Sequence, residues 1–204
     1  NRQGMVGAVL EYRLPQGDPD RPLADAQEAI RFVRSRAAEW GVATNRIGII
    51  GFSAGGHLAA MAATMPELRA PDRAPEASSR PDFAILVYPV VSMGDLADAG
   101  SRLNLLGPDP SPDRVAAYSM ERRVTADTPP VFLVHARDDA VVSPENSRRF
   151  QAALAAQGIA CAYLELEAGG HGLGYGGPLW DKWQEQVLAW LRRQGLIEPG
   201  AGGE

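Results

Sequence analysis

A single cysteine, Cys161, leaves the chain without any internal disulfide. It sits in the apolar-leaning stretch from Ile159 to Tyr163, where a buried and unreactive thiol is expected. No run of 18 apolar residues occurs, so no segment reads as a bilayer span. The basic residues are scattered and the formal net charge is -5, which gives nucleic acid or an anionic membrane surface no footing as a partner. Neither G-x-G-x-x-G nor a phosphate loop is present, and no set of Cys, His and carboxylates has the spacing of metal ligands, so no cofactor and no metal are expected. The chain opens Asn1-Arg2-Gln3-Gly4-Met5, with neither an initiator Met nor a signal peptide. Such a start is expected of a processed or truncated product, and it leaves a cytoplasmic and a secreted location equally open.

What is present is ordinary for one globular domain of 204 residues: 45 % hydrophobic and 22 % charged. A chain of this length buries roughly 70 % of its unfolded surface around one core. Short apolar runs alternate with longer amphipathic ones. Strands are predicted at Met5–Leu10, Arg46–Ile50, Phe83–Tyr88, Val131–His135 and Ala160–Leu166. Helices are predicted at Leu23–Trp40, Ala54–Thr64, Pro144–Gln157 and Leu179–Arg193. The first helix carries Ala26, Ala29, Ile30, Val33, Ala37 and Ala38 at helical period. Strands apolar on both faces and separated by helices belong to a parallel sheet covered on both sides, an α/β three-layer sandwich of about five strands. Two segments break the rhythm. Met65 to Arg80 reads as a surface loop, and about 91–128 reads as a cap-like insertion over the strand ends. Trp180, Trp183 and Trp190 are expected to pack the last helix on the sheet, and Met93 and Met120 to fill core or line an acyl pocket.

The segment Gly51-Phe52-Ser53-Ala54-Gly55-Gly56 follows a predicted strand and opens a predicted helix. This is the G-x-S-x-G elbow, in which a strained turn lifts the serine hydroxyl above the sheet. Side chains at positions 51 and 55 are expected to collide with the neighbouring strand and helix, hence the two glycines. The Ala54 N–H would face a developing oxyanion. Ser53 is therefore the expected nucleophile.

A serine hydroxyl needs a positioned base, and the chain has three histidines. His171 lies in a glycine-flanked loop between the last strand and the last helix, from which an imidazole can reach over the sheet edge. His57 falls four residues after Ser53 inside the helix, where a packing role is expected. His135 ends a strand and is expected to fix the loop that follows. The expected base is His171. Its partner should come from the loop after the Val131–His135 strand, where Asp138 and Asp139 compete. Only one can face the histidine, the other being solvated or capping the next helix. We assign Asp139. The order Ser53, Asp139, His171 is that of α/β hydrolases and of neither the chymotrypsin nor the subtilisin type.

From Tyr12 to about Tyr175 these residues resemble the bacterial acetyl esterase/lipase branch of the α/β hydrolases, which includes xylan-acetyl esterases. The matching segments are Tyr12-Arg13-Leu14, Asp25 to Arg34, Asn45 to Ala59, Tyr88-Pro89-Val90, Thr128 to His135, Asp139 to Ser147 and Gly169 to Gly172. The resemblance implies a serine carboxylesterase acting on small, acetyl-like acyl esters, carbohydrate esters among them. It places the acid four residues after the strand-end histidine, at Asp139. It also implies a structural ion pair between Arg13 and Asp25, and a site wall formed by Tyr88 and Pro89. Family members begin with further strands and a His-Gly-Gly-Gly loop that completes the oxyanion hole, and here the resemblance starts at the family's fourth strand. Either Met5–Leu10 pairs directly with the Ile47–Ile50 strand, or another chain fills the gap. An unpaired edge invites association, so a homodimer or higher oligomer is expected. Losing one oxyanion donor typically costs roughly 100- to 1000-fold in turnover. Low or restricted activity is therefore expected, unless an N–H of Tyr12 to Gly17 or of a partner subunit substitutes. The rival expectations are a non-catalytic binding module of hydrolase fold and a serine peptidase of the prolyl-oligopeptidase type.

Overall fold

The computed structural model of the chain describes residues 4–68 and 77–197. Its elements run α1 (Asp20–Arg36), β1 (Gly48–Phe52), α2 (Ala54–Thr64), β2 (Phe83–Val87), α3 (Ala99–Leu106), α4 (Pro112–Ala117), a 3-10 turn (Met120–Arg122), β3 (Val131–Ala136), α5 (Glu145–Ala156), β4 (Cys161–Leu166) and α6 (Pro178–Arg193). The strands form one parallel sheet of four in the order β1-β2-β3-β4.

Side-chain alternation builds the layers. On β2, Ala84 and Leu86 join a core with Leu23, Ala26 and Ile30 of α1, Leu58 and Met61 of α2, and Phe150 and Leu154 of α5. Phe83, Ile85 and Val87 point the other way, into a core with Trp183, Val187, Trp190 and Leu191 of α6. Both faces of β2 and β3 are thus buried, as near-continuous apolar runs require. Trp183 and Trp190 pack α6 on the sheet, with Trp190 against Phe83 and Phe132, while Trp180 lies half-buried beside Phe52.

One expected strand does not form. Met5–Leu10 runs without ladder partners, and Val6 to Val9 are exposed. An apolar run becomes a strand only where an edge accepts its N–H and C=O groups, and this run does not reach β1. Among the described residues the outer edge of β1 therefore has no neighbour. The polypeptide after Leu10 is held instead by Arg13, whose backbone N–H and guanidinium both bind the Asp25 carboxylate of α1. That ion pair is the one implied by the sequence resemblance, and the Arg13 hydrogen bond holds the Asp25 carboxyl below its ordinary range. The loop expected over Met65–Arg80 lies partly outside the described residues, as do Asn1 to Gln3 and the tail after Ile197.

The insertion between β2 and β3 folds into α3, α4 and the 3-10 turn. Asp98 caps α3 by accepting from the Ser101 N–H, and Ser111 caps α4 ahead of Pro112. Its own small core joins Val90, Met93, Leu105 and Leu106 to Val142. Met120 is buried in the larger core, so both methionines are core residues. The buried Asn146 of α5 uses its whole amide to fasten the segment: Oδ1 accepts from the N–H groups of Val91 and Ser92, and Nδ2 donates to the carbonyls of Leu96 and Ser143. His57, buried in α2, hydrogen bonds the Tyr118 carbonyl at 2.9 Å, and burial pulls its pKa down to about 4. Burial likewise pushes the Cys161 thiol up to about 12, so it stays protonated and unreactive near neutrality. No described helix is long and apolar enough to cross a membrane.

Candidate active site

The elbow is built by backbone geometry. β1 delivers the chain to Ser53, which has φ 52° and ψ -120°, and α2 starts at the next residue. A serine at positive φ costs of order 1–3 kcal/mol and persists only when surrounding bonds impose it. Here Ser53 N–H donates to the Val87 carbonyl at 3.0 Å, while the Ser53 carbonyl accepts from Val90 N–H at 3.1 Å and His57 N–H at 3.2 Å. Among the described residues, the other non-glycine residues at positive φ are Tyr88, Leu173 and Gln16. Tyr88 follows the neighbouring strand and Leu173 sits two residues after His171, so three of these four strained positions lie in segments that carry the site.

Only one of the two elbow glycines sits where a side chain would collide. A Cβ on Gly51 would stand 2.0 Å from the Gly55 carbonyl oxygen, the expected collision. A Cβ on Gly55, however, would meet nothing closer than the Tyr12 hydroxyl at 3.9 Å. The second close approach belongs to Gly56, where a Cβ would lie 2.7 Å from Pro89 Cβ. Helix α2 leans on the β2 turn through Gly56, and Gly55 faces open space above the elbow.

The three expected site residues are brought together. His171 Nε2 lies 2.9 Å from Ser53 Oγ, and His171 Nδ1 lies 2.8 Å from Asp139 Oδ2. Asp139 Oδ1 accepts from the N–H groups of Val141 and Val142, each at 2.9 Å. Burial opposes ionisation of Asp139, yet the bonds from His171, Val142 and Val141 outweigh it and hold its carboxyl below the usual range. The carboxylate is therefore charged at neutral pH and aimed at the imidazole. Ala54 opens α2, so its N–H has no acceptor within the helix, and the residue is exposed beside the serine. The Tyr88 ring centroid lies 4.7 Å from that of His171, covering one side of the imidazole. Pro89 is buried, with its contact directed at Gly56.

Two features were not read from the sequence. Asp138 is exposed, as expected of the aspartate that does not face the histidine, but it is not idle and does not cap a helix: its Oδ1 accepts from Gly170 N–H at 2.8 Å, tethering the loop that carries His171. That backbone bond holds the Asp138 carboxyl below its ordinary range. The adjacent aspartates thus act on neighbouring residues of one loop, Asp138 on the backbone at 170 and Asp139 on the ring at 171. The second is His135, which is expected to fix its own loop and does so through the Val142 carbonyl, but also reaches Asp139 Oδ2 at 3.2 Å. Among the described residues no group of three or more His, Cys, Asp or Glu side chains could hold a metal ion.

The arrangement, a hydroxyl hydrogen-bonded to an imidazole whose other nitrogen meets a buried carboxylate, is suited to nucleophilic acyl transfer. Comparison with known proteins points the same way. A structure of an acetyl ester-xyloside bifunctional hydrolase from Caldicellulosiruptor lactoaceticus is 38 % identical with a TM-score of 0.85, over 93 % of this chain and 71 % of that one. The propionate-bound esterase Est2 of Thermogutta terrifontis is 32 % identical with a TM-score of 0.77, over 93 % and 72 %. The acetylxylan esterase of Xylanibacter ruminicola is 35 % identical over 201 residues, which are 94 % of this chain and 40 % of that protein. The chain thus spans less than half the length of that curated relative. The family model BD-FAE matches residues 1–154, three quarters of the chain. The chain belongs to the BD-FAE family, an esterase family of α/β-hydrolase fold.

Proposed function

We propose that the chain hydrolyses small acyl esters, of acetyl size and carried by carbohydrate alcohols, through an acyl-enzyme on Ser53. The observation that carries this reading is the unbroken line from Ser53 Oγ through the His171 ring to Asp139 Oδ2, at 2.9 and 2.8 Å. In this reading His171 Nε2 takes the serine proton as Oγ attacks the acyl carbon. The Ala54 N–H stabilises the oxyanion, and Asp139 supports the imidazolium. His171 then returns the proton to the leaving alcohol oxygen. A water repeats the sequence, releasing the acid and restoring Ser53. Tyr88 walls the imidazole and narrows the space for the acyl group. The acetyl and propionate named for the relatives favour a short acyl chain, and their xylan-linked names favour a carbohydrate alcohol.

Covalent trapping tests the reading. The tryptic peptide of residues 47–69 contains one serine, Ser53. Diisopropyl fluorophosphate is expected to add one phosphoryl group to that peptide and to stop release of acetate from p-nitrophenyl acetate and acetylated xylo-oligosaccharides. Buffer-rate hydrolysis without an adduct would make the chain a binding module instead.

Self-association is the second part of the proposal. The outer edge of β1 has no strand partner among the described residues, and its Ile50 and Phe52 are 49 % and 37 % exposed. An open parallel edge with apolar side chains is a docking liability in a monomer. Light scattering is expected to give twice the mass of one chain for the wild type and one chain's mass for Ile50→Lys. A wild-type mass of one chain overturns this part alone.

A further inference from the structure

The proposed chemistry leaves unused a buried titratable group that touches the catalytic carboxylate. His135, at the end of β3, is 0 % exposed, and both of its ring nitrogens are engaged. Nε2 lies 2.9 Å from the Val142 carbonyl, which can only accept, so Nε2 carries the proton. Nδ1 is then the acceptor, and the Ser147 hydroxyl of α5 donates to it at 2.8 Å. Burial lowers the ring's affinity for a second proton, more than the Val142 carbonyl and Asp139 raise it, which keeps the ring neutral. The single Nε2–H is shared with Asp139 Oδ2 at 3.2 Å, the oxygen that also accepts from His171. With Val141 and Val142 on Oδ1, four N–H groups converge on the four lone-pair sites of one carboxylate.

We propose that His135, held in one tautomer by Ser147, is a positioning residue that fixes Asp139 Oδ2 toward His171 and moderates its pull on the imidazole proton. The inference rests on Asp139 and His171 acting as read above. A donor on Oδ2 spreads the carboxylate charge, so Asp139 stabilises the imidazolium less than an unshared carboxylate would. The base is thereby kept able to release its proton to the leaving alcohol. The other ionisable groups facing the pair are Asp138, bound to Gly170 N–H, and the Tyr88 phenol beside the His171 ring. Neither contacts Oδ2, so His135 is the neighbouring side chain placed to tune it.

Proton NMR of the full chain without substrate tests this independently of turnover, by the far-downfield signal of the Nδ1–H between His171 and Asp139. In His135→Leu that signal is expected to shift. His135→Gln, which keeps an N–H donor near the Nε2 position, is expected to return it toward wild type. Ser147→Ala should move it in the same direction as His135→Leu but by less. In parallel, kcat of His135→Leu on acetylated xylo-oligosaccharides, whose alkoxide leaving group needs the His171 proton, should fall about tenfold at unchanged KM. A wild-type signal in His135→Leu and Ser147→Ala would overturn the proposal. Should His135→Leu fail to fold, Ser147→Ala decides alone. The organophosphate adduct reports separately on the catalytic reading.

Discussion

Asp139→Asn is expected to slow p-nitrophenyl acetate hydrolysis by about four orders of magnitude, with KM little changed. The size follows from the number of donors aimed at this side chain. The carboxylate accepts from Val141, Val142, His135 and His171, and an amide offers acceptor sites on one oxygen only. If the Asn NH2 faced Val141 and Val142, the buried Val142 N–H would lose its partner at about 1–3 kcal/mol, and the part-buried Val141 N–H would lose its own as well. The amide oxygen therefore stays on those N–H groups and the NH2 turns to His171. Nδ1 must then accept, and its proton moves to Nε2, the nitrogen that faces Ser53 Oγ at 2.9 Å. An imidazole protonated there cannot take the serine proton. Steady-state kinetics beside a circular dichroism spectrum will check this, and a loss below tenfold in a folded variant would remove Asp139 from the chemistry. The adjacent residue supplies the contrast. Asp138 serves one donor, Gly170 N–H, which an Asn oxygen can also serve, so Asp138→Asn should stay within a few-fold of wild type.

Much of this site was legible because it depends on local order along the chain. The elbow announces itself by an apolar run, a glycine two residues before a serine and a helix start, and α2 begins at the expected residue. His171 stood out because its loop is rich in glycine and follows the last strand. The choice of Asp139 over Asp138 was made from the residues and drew support from the resemblance, since side-chain direction in a turn is not written in residue type. What stayed hidden is set by contacts between segments distant in sequence. The tether from Asp138 to Gly170 joins residues 32 apart, and Asn146 reaches back 55 residues to Val91. The Met5–Leu10 run shows the opposite failure. Its apolar content satisfies a strand pattern, but pattern says nothing about whether an edge is within reach. His135 was read as the anchor of its loop, and its bond to Val142 fits that. Its second bond, to Asp139, required knowing that the loop folds back over the ring.

Gly51→Ala is expected to destabilise the fold by more than about 3 kcal/mol, whereas Gly55→Ala should leave stability unchanged or raise it. The two glycines are equivalent in the G-x-S-x-G pattern but not in space. A methyl group on Gly51 would lie 2.0 Å from the Gly55 carbonyl oxygen, 2.5 Å from its carbon and 2.9 Å from Ala59 Cβ. The first two are backbone atoms of the α2 first turn, so no rotamer change relieves the overlap. Either β1 or α2 must move, and Ser53, which joins them, would be pulled from the bonds to Val87 and Val90 that hold its strained φ. Such a shift should disturb the hydroxyl as well as the core, so activity is expected to fall with stability. At Gly55 the same methyl would find the Tyr12 hydroxyl at 3.9 Å, an ordinary contact. There the gain is the usual advantage of alanine over glycine within a helix, about 1 kcal/mol at most. Urea unfolding of both variants separates the two positions. A Gly55→Ala variant less stable than Gly51→Ala would mean that α2 sits closer to its neighbours at position 55 than at 51, reversing the packing that gives the serine its turn.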